Sequence, residues 1–214
     1  MKKRKRIYIT ISVLAIATLM LSAHVIAASS TSGFFTAWGN LLNSNSRAAQ
    51  PETIYAQGIQ SAIMNKDIEQ AKNFYVLSGM DENTAQKQAV DYVMKRDALY
   101  QAAIENGYEV TDQEVWDYIE ELKVIISQAD NREDALNVMK QFPSEEAYWE
   151  YEFTVYKINL PIQDYVHDME QAYKNRMVYS EEMSPEDAEA AWQQYFESMK
   201  GNLVTQQNYQ VIEE

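Results

Sequence analysis

Cysteine is absent from this chain of 214 residues. Its absence excludes a disulfide framework, thiolate metal ligation and lipid attachment through an N-terminal cysteine. Histidine is nearly absent too, with only His24 and His167. A catalytic histidine needs partners that orient it and share its proton. His167 instead stands beside Asp164 and Asp168, as a surface residue with carboxylate neighbours would. No His-Glu-x-x-His pair, glycine-rich phosphate loop or Gly-x-Ser-x-Gly elbow is present. The run Asp130 to Asp134 puts Arg132 at a ligand position of a would-be calcium loop and has no glycine at its sixth position, so it reads as a solvated turn. The acidic pairs Glu120-Glu121, Glu145-Glu146 and Glu181-Glu182 are adjacent in sequence and do not face each other on a helix. The expectation is no catalytic group, no metal and no cofactor.

Basic charge is scarce as well. Five of the 18 Lys and Arg residues are packed into Lys2 to Arg6, leaving 13 against 32 acidic residues and a net charge of −19 over the rest. Such a body repels phosphate backbones, so nucleic acid is not an expected partner. The charge suits basic partners or serves solubility.

One long apolar run follows the basic cap. Ile7 to Ala28 covers 22 positions, about 33 Å as a helix and enough to cross a bilayer. Its most apolar part, Val13 to Leu21, has the length of a signal-peptide core, and Val25-Ile26-Ala27 allows cleavage after Ala27. Residues 1–28 are thus a signal peptide or a retained anchor, and either places the body outside the cytoplasm. His24 falls at the outer end of this run or leaves with it. Residues 29–50 read as a polar linker carrying one amphipathic segment: Phe34, Phe35, Trp38, Leu41 and Leu42 share a helical face. That face fits a helix lying on the membrane or, the preferred reading, one docked on the body.

Residues 51–214 read as one all-α body. Few glycines, no Asn-Gly or Asp-Gly turn and no strand-like alternation argue against sheets. Helices are expected near 52–65, 67–78, 83–106, 112–128, 132–141, 145–159, 161–178 and 185–200, with a kink or a fresh start at Pro161. The sharpest local grammar lies between Gly107 and Val115. Gly107 can close one helix in a left-handed turn. Thr111 and Glu114 can cap the next as a capping box, with Val110 and Val115 as its hydrophobic staple. Ser184, Pro185 and Asp187 set the start of the last helix in the same way.

Aromatic and soft side chains are plentiful: 15 tyrosines, four tryptophans and ten methionines. They fill helical cores, and they also line adaptable peptide-binding surfaces. The Val115, Ile119, Leu122 and Ile126 face suffices for a core, which leaves Trp116 and Tyr118 for another face. Together with Trp149 and Tyr151 they are the candidate polypeptide-binding residues.

The stretch from Ala89 to Lys123 resembles the N-terminal chaperone region of the SurA and PrsA foldases, itself related to the trigger-factor chaperone domain. Val93-Met94, Leu99, Ala103 and Gly107 match the closing helix of that pattern, and Val110, Thr111, Asp112, Glu114 and Val115 match the joint that follows. Pro143 to Val166 resembles the next helix pair, and the run from Ala191 to Val204 the returning C-terminal helix. Two departures stand out. The opening element keeps Asn65 and Ile68 but lacks the expected glycine and threonine. Only the dozen residues from Met177 to Ala188 stand where many members carry a parvulin isomerase domain. The resemblance implies a chaperone-type module that binds unfolded or exported polypeptides and lacks prolyl-isomerase activity. A scaffold for one cell-envelope protein is the alternative, and an unrecognised enzyme the third reading.

Overall fold

The computed structural model describes residues 31–47, 53–179 and 183–212. The candidate membrane span, the cleavage site and His24 lie outside them. Among the described residues no helix is long and apolar enough to cross a membrane.

The chain runs α1 (Thr31–Arg47), β1 (Ile54–Gln57), β2 (Ala62–Met64), α2 (Asn65–Leu77), α3 (Glu82–Glu105), α4 (Asp112–Gln128), α5 (Arg132–Met139), α6 (Glu145–Tyr179), α7 (Pro185–Gln207) and β3 (Gln210–Val211). The molecule is predominantly helical, as expected. The helix anticipated over 52–65 is replaced by a β-hairpin. Gly58 opens its four-residue turn, with the Gly58 amide donating to the Ser61 carbonyl at 2.7 Å. The reason lies at the other end of the sequence. β1 is the middle strand of a three-stranded sheet ordered β2-β1-β3, and β3 comes from the C-terminus. Ala56 and Ile63 turn inward and are buried. A helix here would forfeit the β3 pairing, which local sequence does not announce.

α1 does not lie apart from the body. Phe35, Trp38 and Leu42 are buried in the main core, and Trp38 meets Phe74 of α2 edge-on at 4.6 Å between centroids. Docking is therefore the placement found, with the apolar face of α1 in the core. α1 also packs on α5. Their approach is close enough that a Cβ on Gly39 would lie 2.6 Å from the Val138 carbonyl oxygen.

No new helix starts at Pro161: α6 runs through it for 35 residues. Proline removes the amide that would bond the Lys157 carbonyl. Here Leu160, Pro161 and Ile162 are all fully buried, and that packing offsets the lost bond.

The corner between α3 and α4 forms as the sequence suggests. Gly107 has φ +80°; its amide donates to the Ile104 carbonyl and the Tyr108 amide to the Ala103 carbonyl, the two bonds of a Schellman motif. Thr111 and Glu114 then cap α4 reciprocally. Gly79 closes α2 with the same pair of bonds, to Val76 and Tyr75. Lys157 of α6 pins the corner by donating to the Val110 carbonyl at 2.9 Å and pairing with Asp112.

Candidate functional site

The four aromatic residues singled out by the sequence do not share a surface. Tyr118 and Trp149 are in the core. Tyr118 is three positions beyond Val115 and four before Leu122, so it falls inside the apolar stripe of α4, and its ring packs edge-on against Tyr156 of α6 at 5.0 Å. Its assignment to another face is corrected accordingly. Trp149 is held by a hydrogen bond from Nε1 to Glu145 at 3.1 Å and lies under the Lys123 ammonium, 5.2 Å from the ring centroid. Trp116 does lie at the surface, 36% exposed, and stacks on Phe153 with centroids 4.9 Å apart. Val124 and Ile125 are exposed farther along the same helix.

Tyr151 occupies a different place. It borders a cleft of about 540 Å³ walled by the end of α1, the first turns of α2 and α6, with Phe142 and Pro143 at its floor. That volume lies in the range of ligand sites. Four side-chain amides stand in the walls, Asn43 and Asn45 from α1 and Gln70 and Asn73 from α2, among five charged side chains. Gln70 donates to the Tyr151 hydroxyl at 2.5 Å, and Asn43 Nδ2 donates to the Gln141 carbonyl at 2.8 Å. Asn43 Oδ1 and Asn45 Nδ2 are buried with no hydrogen-bond partner among the described residues. Charge around the cleft is balanced. Asp67 is paired with Arg96 at 2.8 Å, and Glu69 and Glu150 stand against Arg47 and Lys66.

Behind Tyr151 lies a residue that the sequence reading passed over. Glu152 is 1% exposed, and neither carboxyl oxygen has a partner in regular hydrogen-bond geometry among the described residues. Burial pushes its carboxyl up to about 8, offset only in part by the Tyr148 side chain. The negative charge that Glu152 would carry in turn adds to burial in raising the Tyr148, Tyr151 and Tyr156 hydroxyls. The signal was present: Glu152 stands four residues after Tyr148 and four before Tyr156, on the stripe that faces the core.

A second polar cluster joins the ends of the body. The Tyr209 hydroxyl donates to Asp97 at 2.6 Å, and Ser61 donates to the same carboxylate. Among the described residues no group of three or more His, Asp or Glu side chains is placed to hold a metal ion. Comparison with protein-family models, curated proteins and solved structures finds no match.

Proposed function

We propose that this chain is an extracytoplasmic, chaperone-like module that binds unfolded or exported polypeptides and has no prolyl-isomerase activity. The observation that carries the reading is the open cleft of about 540 Å³ bordered by Tyr151. It offers a ligand-sized site built from hydrogen-bonding and charged groups. The glycine-capped, threonine-capped corner between α3 and α4 supports the same reading, because it is the part of the chain that carries the resemblance to the SurA and PrsA chaperone regions. The basic cap and apolar run at the N-terminus support delivery across the membrane, followed by anchoring or release.

Light scattering tests it. The protein in excess slows aggregation of several chemically unfolded clients without ATP; if none of them is affected, the proposal fails. A second reading draws on the exposed Trp116–Phe153 stack. An exposed aromatic pair of this kind suits an anchor for one folded envelope partner. Recovery of a single stoichiometric partner by crosslinking in the envelope, lost in Trp116→Ala, favours that scaffold over a spread of clients.

A further inference from the structure

The chemistry of the cleft says which part of a polypeptide it can hold. Ligand sites that grip apolar side chains are lined mainly by apolar and aromatic groups. This one is lined by four side-chain amides and five charged side chains, with aromatic surface only at Phe142 and Tyr151. Each amide both donates and accepts. Two of their atoms are buried without a partner among the described residues and are opposite in sign: Asn43 Oδ1 as an acceptor, fixed in that role because its Nδ2 is spent on Gln141, and Asn45 Nδ2 as a donor. A buried polar atom without a partner is costly, and a ligand that supplies the partner recovers the cost. The terminal torsion of asparagine is soft, so both amides can turn toward a bound group. A peptide unit presents one N–H and one C=O, the complement of these two atoms.

We propose that the cleft binds the main chain of an extended polypeptide segment, reading its amide groups rather than its apolar side chains. The inference rests on the polypeptide-binding reading and assigns it a site. The Asp67–Arg96 pair leaves Glu69 and Glu150 balanced by Arg47 and Lys66, so the site selects neither basic nor acidic segments. Affinity is then insensitive to salt, unlike a contact made by steering charges. Specificity is low with respect to side chains and high with respect to a free main chain.

The test uses the full chain in nanodiscs and a fluorescent, polar, unstructured peptide of about ten residues, long enough to cross the cleft when extended. A second peptide carries the same side chains with alternate main-chain nitrogens methylated. The expected result is saturable binding of the first peptide, roughly tenfold weaker for the methylated one, since each lost hydrogen bond to a buried partner is worth about that factor. Asn45→Ala combined with Asn73→Ala weakens the first peptide by a similar factor while thermal unfolding stays close to wild type; Trp116→Ala leaves it unchanged. Equal binding of both peptides, or binding untouched by the asparagine pair, overturns the main-chain site while leaving a polypeptide-binding protein with its site elsewhere. Displacement of the peptide by a short N-acetylglucosamine oligomer at comparable concentration also overturns it, by making the cleft a sugar site. Suppressed aggregation with no peptide binding counts against the cleft alone, whereas failure of both assays removes the underlying reading.

Discussion

Thr111 shows how one side chain can set a junction. Its Oγ1 accepts from the Glu114 amide at 3.2 Å, and Glu114 returns a bond to the Thr111 amide at 2.8 Å. Thr111→Ala leaves the Glu114 amide without its side-chain acceptor and lowers stability by about 1 kcal/mol, measurable as a lower urea midpoint with unchanged slope. Glu152 makes the opposite kind of contribution. Its folded carboxyl titrates at about 8, well above the 4.5 of a free side chain. Below the unfolded value both states hold the proton and the residue costs nothing in charge. As pH rises between those values the unfolded chain loses the proton first, so stability falls by about 1.4 kcal/mol per pH unit. Glu152→Gln removes this slope. Its unfolding free energy, compared with wild type from pH 5 to 8, rises steadily above it; parallel curves would show that the carboxyl is already ionised in the folded protein.

At the scale of elements, glycine separates contact from propensity. Gly39 lets α1 approach α5, and a methyl there meets the Val138 backbone. Gly39→Ala destabilises by about 1–3 kcal/mol because backbone cannot yield as a flexible side chain does. Gly201 lies exposed in the last third of α7 with nothing within 4 Å of an added Cβ; Gly201→Ala stabilises by about 0.5–1 kcal/mol. Thermal unfolding of the two variants should move in opposite directions. Helices were legible wherever caps and apolar stripes agreed: α4 begins and ends where its capping box and stripe place it, and α3 ends at its glycine. The 52–65 segment was misread because its strands are four and three residues long. That is too short for alternation to outweigh the absence of a turn signature. The candidate site was less legible. Tyr151 was found as an aromatic residue, but the amides of α1 and α2 stand far apart in sequence and look like ordinary polar surface until the helices are packed.

At the scale of the whole molecule, the C-terminus closes the structure. β3 pairs with β1, and Tyr209 reaches both Ser61 and Asp97. Burial and the neighbouring Asp97 carboxylate raise the Tyr209 hydroxyl above its ordinary value, which keeps it a donor. Tyr209→Phe removes a hydrogen bond to a charged acceptor and lowers stability by about 2 kcal/mol; equilibrium denaturation at neutral pH reads it. The far half of the α6–α7 pair is the least anchored region. Between Gln163 and Val178 of α6 no residue is buried; Tyr173 there stacks on Tyr195 of α7, which buries Ala188 and Trp192 and stacks Phe196 on Trp192. Amide hydrogen exchange should be fastest there among the helices, since local opening exposes little apolar surface.

By itself the sequence determined the helical character, the corner at Gly107 and Thr111, the start of α7 at Ser184, and the acidic surface. Each of these follows from interactions within a turn or two of chain: capping bonds, glycine at positive φ, residues repeating along one helix face. Tertiary structure alone decided the hairpin at β1 and β2, the docking of α1, the unbroken course of α6 through Pro161, the burial of Tyr118, Trp149 and Glu152, and the gathering of four amides around one cleft. These depend on which distant surfaces meet. A short strand, a proline or a carboxylate in an apolar stripe takes its final state from the free energy of that meeting rather than from its neighbours in the chain.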